Sequence, residues 1–231
     1  MAVDASGGDP AVVALAQFIG QVNVPAVPVV EGEYAAFSAV DSQTYGFKAS
    51  GSDGYYSVKS ANGDKNTYPN NSVAEIAGGL SELNAVWPSL ADSTPSGHLL
   101  SLEFTENGAI ENLDLSLCTF LTTLIIPAAN IESIDLSQHT ALVHLDLREN
   151  SLSTIDLAGM CSHLNYVALQ DNSMNGDEYS AVLLTLANDD SPFIENGWVK
   201  ITNGSAYLNE DGATAALVLA NNGWTVLYDS E

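Results

Sequence analysis

Apolar residues in the middle of the chain recur with a period of 21 or 22 residues. Four units begin on a leucine, and three of them run on to a Leu-Asp-Leu or Ile-Asp-Leu triplet. The leucines are Leu99, Leu121, Leu142 and Leu164, and the triplets lie at 113–115, 134–136 and 155–157. A constant period over four units predicts stacked structural units, because a catalytic motif has no reason to recur at a fixed spacing.

Each unit approximates the pattern L-x-x-L-x-L-x-x-N-x-L, which is the signature of a leucine-rich repeat. The L-x-L part predicts a strand, and units stacked about 4.8 Å apart bury its alternate side chains together. The asparagine is expected to bind buried backbone in the following turn, although the second unit has Ala129 in its place. The triplets 134–136 and 155–157 are predicted to be neighbouring strands of a second ladder on the convex side.

Different patterns flank these units. Residues 33–95 contain strand-like segments with turn signals at Asp53-Gly54 and Asn62-Gly63, which predict hairpins in a small antiparallel β module, followed by a linker. Residues 175–231 predict a C-terminal cap, with a helix from about Asp177, a second near 213–220, and short strands at the two Asn-Gly-Trp segments. The predicted fold class is an α/β-type leucine-rich-repeat solenoid, short and mainly β, over residues 96–174.

The charge of the chain excludes some classes of binding partner. The 231 residues include five Lys or Arg against 29 Asp or Glu, for a formal net charge of −24. Nucleic acid and anionic membrane surfaces are therefore not expected as partners, since both need positive charge on the protein. Residues 10–30 carry no charge, but their prolines and amides disfavour a membrane span. Asp4 and Asp9 stand where a secretory signal would have basic residues, so no such signal is expected.

The concave strands are predicted to present three columns of side chains. The columns are Ser101, Thr123, His144 and Tyr166; Glu103, Ile125, Asp146 and Ala168; and Thr105, Pro127, Arg148 and Gln170. Arg148 is the only basic residue in 99–190 and is expected to anchor a ligand beside Asp146; alternatively, it merely balances Asp146 and Glu149. The predicted partner-binding residues are Glu103, Ile125, His144, Asp146, Arg148, Tyr166 and Gln170.

Three sets of acidic or thiol-bearing residues have some features of metal sites, and none is predicted to be one. Asp114, Asp135 and Asp156 should stack; they either share a cation or, as is favoured, form a solvated acidic edge. Cys118, His139 and Cys161 also recur, but two thiolates and one histidine leave a zinc site one ligand short. The segment 171–178 resembles a calcium loop but has Val182 where the bidentate glutamate belongs.

No catalytic motif of the common hydrolase, metalloprotease or nucleotide-binding types is present. The sequence therefore predicts no enzyme, no catalytic residue and no cofactor.

The repeat unit resembles the leucine-rich repeats of Bacteroidetes surface proteins and of tailed phages that infect such bacteria. The "GWTV" ending after an alanine-rich helix, at 215–226, is similar to the terminal cap of those arrays, and "YYSVKSANGDKNTY" is similar to their β-rich section. The likeness covers about residues 95–228. It implies a non-enzymatic display or binding protein, and the missing export signal favours the phage branch.

These observations lead to a functional hypothesis. The chain is expected to be a virion structural protein, a capsid decoration or a tail component, on the virion surface. Residues 1–32 would anchor it to other virion proteins, and the repeats would contact a host-surface receptor. The stretch at 10–20 is expected to form a short helix; three such helices bundle, or the arm lies on the assembly and adds a strand to it, and the alternative is a flexible tail. The alternatives are a bacterial cell-surface adhesin and, less favoured, an acidic intracellular inhibitor of basic enzymes.

Overall fold

The computed structural model describes residues 32–39, 44–59, 64–77, 84–105, 110–160, 162–188, 196–202 and 207–228. The predicted N-terminal arm, except Gly32, lies outside the described residues. In chain order the strands are β1 (Ala35–Ala39), β2 (Thr44–Gly51), β3 (Tyr55–Lys59), β4 (Lys65–Pro69), β5 (Val73–Ala77), β6 (Asn84–Ser89), β7 (Leu99–Phe104), β8 (Ile110–Asp114), β9 (Thr123–Ile125), β10 (His144–Asp146), β11 (Tyr166–Ala168), β12 (Trp198–Lys200) and β13 (Thr225–Leu227). The helices are α1 (Gly176–Asn188) and α2 (Glu210–Asn221).

The strands form two open sheets. The longer has eight strands in the order β13-β12-β11-β10-β9-β7-β2-β5, and the shorter has five in the order β4-β3-β6-β1-β8. From β7 to β13 the longer sheet is parallel and in register, whereas β2 and β5 join it antiparallel. The strand β7 therefore pairs with a repeat strand on one side and with the N-terminal module on the other.

The inward residues of the parallel strands align across the sheet. Leu102, Leu124, Leu145 and Val167 pair in succession, and each is completely buried. Val199 continues the row, although it lies in the segment predicted as the cap. The stacked core expected from the leucine pattern thus runs on past residue 174 into β12.

The asparagine of the repeat binds the backbone of two neighbouring units. Asn150 Oδ1 accepts from the N–H groups of Ala129 and Ile131 at 3.0 and 2.9 Å, and its Nδ2 donates to the carbonyls of Ile126 and Leu147 at 2.7 and 2.9 Å. Asn172 repeats this role one unit later, accepting from Leu152 N–H at 3.0 Å. The predicted role of the asparagine is confirmed at both positions.

The predicted second ladder is wrong. Residues 134–136 and 155–157 are not strands, and β8, the corresponding segment of the first unit, pairs with β1 instead. The aspartates of these segments end the extended conformation, because each accepts a hydrogen bond at 2.9 Å from the backbone N–H two residues later. The pairs are Asp114 with Ser116, Asp135 with Ser137, and Asp156 with Ala158. An Asx turn of this kind therefore ends each of the three segments, both the paired strand β8 and the two unpaired ones.

The N-terminal strands pack into two layers that share the core of the repeats. Phe37, on the shorter sheet, packs edge-on against Phe47 and Phe104 of the longer sheet, with ring centroids 5.8 and 5.0 Å apart. One cluster of buried residues extends from Ala35 to Trp224. The hydrophobic core is therefore continuous across the boundary predicted at residues 95 and 96.

The two predicted hairpins have different outcomes. Strands β3 and β4 are antiparallel neighbours, as the hairpin predicted around Asn62-Gly63 requires, and residues 60–63 between them lie outside the described residues. Asp53-Gly54 does not close a hairpin, because β2 and β3 belong to different sheets. Gly54 has a φ of +92°, and its turn carries the chain from one layer to the other. The predicted linker also contains strands, β5 and β6.

Both predicted cap helices are present and pack on each other. Asn175 precedes α1 and caps its N-terminus. Its Oδ1 accepts from Asp177 N–H at 2.8 Å, and the Glu178 carboxylate accepts from Asn175 N–H at 2.7 Å. This reciprocal capping gives Glu178 and Asn175, both in the segment that resembled a calcium loop, a role in starting the helix. In the described residues no helix is long and apolar enough to cross a membrane.

Candidate binding face

One face of the longer sheet consists of the side chains that alternate with the core. We call this the outer face. Its residues, in spatial order from β5 to β13, are Val73 and Glu75, Lys48 and Ser50, Ser101 and Glu103, Thr123 and Ile125, His144 and Asp146, Tyr166 and Ala168, Trp198 and Lys200, and Thr225 and Leu227. Arg148 and Gln170 continue it beyond the ends of β10 and β11.

The structure places all seven predicted partner-binding residues on this face. His144 and Tyr166 pair across adjacent strands, and Glu103, Ile125 and Asp146 lie at one level of three successive strands. Strands about 4.8 Å apart put Glu103 and Asp146 about 10 Å from each other, so they do not form a carboxylate pair.

Three aromatic rings stack along the outer face. The His144 and Tyr166 rings lie 4.0 Å apart at 14°, and the Tyr166 and Trp198 rings lie 4.5 Å apart at 9°. The spacing follows from the separation of neighbouring strands, so the sheet itself sets the stack. We call His144, Tyr166 and Trp198 the ring stack.

Trp198 was missed as a site residue, because the segment Gly197–Ile201 was assigned to the cap. The alternation of Trp198, Val199, Lys200 and Ile201 was the available signal. It has the strand period, with Val199 and Ile201 buried and the other two residues half-buried.

A buried carboxylate lies beside the ring stack. Asp146 is 4% exposed, accepts from Arg148 N–H at 3.2 Å, and has its Oδ2 3.5 Å from Arg148 Nη1. The Arg148 side chain remains 40% exposed, so its guanidinium faces solvent while it is oriented by Asp146. Arg148 therefore pairs with Asp146, as expected if it balances that charge. Its guanidinium is also exposed, as it must be if it anchors a ligand.

Both ionisable rings of the stack are neutral at physiological pH. Burial lowers the pKa of His144, and it outweighs the opposite effects of Asp146 and Glu103. Burial, with a contribution from Asp146, raises the pKa of Tyr166. The stack therefore offers uncharged aromatic surface and polar ring atoms but no activated acid or base.

Two polar atoms of the outer face are buried without a hydrogen-bond partner among the described residues. They are the Ser101 hydroxyl and Gln170 Oε1, on residues that are 8% and 6% exposed. A buried polar atom without a partner costs free energy of folding, so both residues are held there by the packing around them.

The outer face differs in charge from the rest of the chain. It carries Lys48, Arg148 and Lys200 against Glu75, Glu103 and Asp146, so its formal charge is balanced. The rest of the chain has two Lys or Arg residues against 26 Asp and Glu. A partner that is itself acidic meets less repulsion here than elsewhere on the molecule.

The recurring column of Cys118, His139 and Cys161 is not what the spacing predicted. The N–H groups of Cys118, His139 and Met160 make the same turn, to the carbonyls of Leu115, Leu136 and Leu157. Met160 thus occupies the third position, because that turn has one more residue before the next leucine. Cys161 lies outside the described residues, and no group of three His, Cys, Asp or Glu side chains in the described part could hold a metal ion.

Comparison with known proteins gives no match for this chain: no family model, curated protein or solved structure corresponds to it.

Proposed function

We propose that this chain is a non-enzymatic leucine-rich-repeat protein that binds a partner through the outer face. The observation that carries this proposal is the ring stack, which lies beside the exposed guanidinium of Arg148 on a charge-balanced surface of a strongly acidic molecule. The parallel register of Leu102, Leu124, Leu145 and Val167 and the asparagine contacts support the repeat assignment.

The chemistry of the face suits recognition. Tyrosine, tryptophan and arginine are the residues that most often dominate binding energy at protein interfaces. The rings are already stacked and Arg148 is already paired, so binding costs less side-chain entropy than it would on a flexible surface.

For the biological setting we propose a virion structural protein, either a capsid decoration or a tail component, with the outer face directed at a host-surface receptor. Residues 1–32 would attach it to other virion proteins, and three copies would associate through that segment. A bacterial surface adhesin would use the same face. The acidic-inhibitor alternative is less well supported, because the ring stack lies on the charge-balanced part of the molecule.

The test is a binding measurement with host envelope fractions and purified virions, using the full chain. Tyr166→Ala and Trp198→Ala should each weaken binding by about tenfold or more, as for hot-spot aromatic residues. Arg148→Ala should weaken it by a smaller factor. Tyr207→Ala is the matched control, because Tyr207 is 48% exposed and its backbone lies against Gly176 at the start of α1.

The outcomes separate the alternatives. Loss of envelope binding in the ring-stack variants supports a receptor-binding face, whether on a virion or on a cell. Virion binding that disappears when residues 1–32 are removed supports the anchor. If Tyr207→Ala weakens binding as much as Trp198→Ala does, the outer face is not the binding site.

A further inference from the structure

The longer sheet ends at β13, which has no neighbouring strand on its outer side among the described residues. Its pairing with β12 uses the backbone of its first and third residues. Thr225 N–H donates to the Gly197 carbonyl at 2.8 Å, and the Leu227 carbonyl accepts from Ile201 N–H at 3.0 Å. Successive residues of a strand direct their backbone groups to opposite sides. The N–H and carbonyl of Val226 therefore point away from β12, at the open edge of the sheet.

This edge lacks the protection that the other three sheet edges carry. Edge strands commonly contain charged residues or proline, which discourage pairing with a strand of another molecule. The edge strands β4, β5 and β8 contain, respectively, Lys65 and Pro69, Glu75, and Asp114. The sequence of β13 is Thr-Val-Leu, which has neither a charge nor a proline. Its backbone is therefore open to a further strand.

The surface beside this edge is apolar and uncharged. Leu227 on β13 is 42% exposed, and Leu217 on α2 is 63% exposed. A helix turns by about 100° per residue, so Leu217 lies about 140° around α2 from Gly212, which packs on Ser180 of α1. Leu217 therefore points away from α1. Residues 212–228 contain no charged side chain, although the chain has a formal net charge of −24.

We propose that β13 is a dimerisation edge, at which two copies of the chain pair these strands antiparallel with Val226 opposite Val226. Residues that face each other in an antiparallel pair can exchange both N–H···O bonds, and Val226 offers one donor and one acceptor. The edge is thus complementary to itself, as a twofold interface requires. Acidic copies repel each other over most of their surface, so a second copy approaches at the least cost where there is no charge.

Such a dimer places two outer faces side by side. The twofold axis of an antiparallel pair is perpendicular to the sheet, so both outer faces lie on the same side. The two β12 strands are then three strand spacings, about 14 Å, apart. A partner with repeated binding elements would engage both ring stacks and bind more tightly than it binds one copy. The dimerisation itself does not depend on the function proposed for the outer face.

Sedimentation equilibrium of the full chain at physiological salt measures the association. The monomer mass of 24.2 kDa should give way to twice that mass as the protein concentration rises. Leu227→Lys puts a charge on the edge at an exposed side chain, and it should weaken dimerisation by about tenfold or more. Val73→Lys is the matched control, because Val73 is 48% exposed on the opposite edge strand, β5. Both substitutions change the net charge equally, so a loss confined to Leu227→Lys arises at the β13 edge.

Val226→Pro tests the hydrogen bonds of the edge. Proline removes the N–H that points away from β12, and edge strands tolerate proline at such a position. This variant should also weaken dimerisation by about tenfold or more, because it removes both copies of that donor. In the unsubstituted chain, amide hydrogen exchange at Val226 should slow as the dimer forms, while exchange at Val73 stays unchanged.

Three results would overturn the proposal. A chain that stays monomeric into the high micromolar range would leave the edge to a strand of another protein. A dimer that persists in both Leu227→Lys and Val226→Pro would use a different surface. Equal weakening by Val73→Lys and Leu227→Lys would show that the effect is not specific to β13.

Discussion

The repeats and the N-terminal module are built from the same kind of strand, but their contacts are organised differently. In the repeats, one position makes the same bond again one unit later, as Asn150 and Asn172 do. In the module, the shorter sheet has the order β4-β3-β6-β1-β8, so its neighbouring strands, apart from β3 and β4, are distant in sequence. Periodic contacts are visible in a single sequence, whereas non-local pairings are not.

The strand β7 joins the two regions. It pairs with β9 in parallel and with β2 in an antiparallel arrangement, and Phe104 at its end packs against Phe37 and Phe47. Since both regions share this strand, a mutation that destabilises the module should also destabilise the repeats. The module then acts as the N-terminal cap that a repeat array needs, because it covers the first unit.

The largest expected effect comes from removing a ring of the module. Phe47 is completely buried among three aromatic rings, so Phe47→Ala should destabilise the protein by about 3–5 kcal/mol. In a Trp87→Phe background, fluorescence comes from Trp198 and Trp224 at the other end of the chain. If the regions unfold together, the denaturant midpoint seen by those tryptophans falls with the mutation.

Val73→Ala is the control for that experiment. Val73 belongs to the same module but is 48% exposed, so its loss should change stability by less than about 0.5 kcal/mol. An unchanged midpoint at Trp198 and Trp224 in Phe47→Ala would mean that the module and the repeats are separate folding units.

A smaller loss is expected from breaking a contact between repeats. Asn150→Ala should destabilise the protein by about 2–4 kcal/mol. The substitution leaves the buried N–H groups of Ala129 and Ile131 and the buried carbonyls of Ile126 and Leu147 without this hydrogen-bond partner. Urea denaturation measures this. The exposed Asn165 provides a control of the same residue type in the neighbouring unit, where substitution by alanine should cost less than about 0.5 kcal/mol.

Asn172→Ala should cost less than Asn150→Ala, because Asn172 makes fewer of these bonds. It accepts from Leu152 N–H and donates to the carbonyls of Leu147 and Leu169. Equal losses in Asn150→Ala and Asn165→Ala would contradict the structural role of the asparagine.

The sequence predicted the fold best where one residue recurs with one role. The buried leucines, the asparagines and the columns of the outer face follow from the period. The period failed where equivalent segments have different neighbours or lengths: the return segment of the first unit is β8, which pairs with β1, whereas 134–136 and 155–157 are not strands, and one additional residue puts Met160 where Cys161 was expected. The pairing of β2 with β7 had no local signal, because it depends on contacts between distant segments.

The candidate site was predicted in part for the same reason. His144 and Tyr166 occupy equivalent positions of two regular units, so the sequence predicts that they are neighbours. The period does not predict how deeply each ring is buried. Trp198 is in a strand that adds to the sheet after a helix, which interrupts the 21- or 22-residue period. The buried polar atoms of Ser101 and Gln170 depend on side-chain geometry, which no sequence pattern specifies.

The smallest expected effect is a difference in pH dependence between the two regions. Burial lowers the pKa of His144 in the repeats, whereas burial raises the pKa of Glu33 in the module despite hydrogen bonds from His98 and Leu99. For His144 the unfolded state binds protons more readily, so its contribution is fully present above the unfolded value of 6.5 and is lost as pH falls through the lower folded value. For Glu33 the folded state binds protons more readily, so its contribution is fully present below the unfolded value of 4.5 and is lost as pH rises through the higher folded value. Melting temperatures between pH 8 and pH 4 should show that His144→Gln reduces the loss on acidification near pH 6, and that Glu33→Gln removes a gain at lower pH. If His144→Gln and Glu33→Gln change the pH dependence of the melting temperature in the same direction, burial does not shift the two pKa values in the way that the structure indicates.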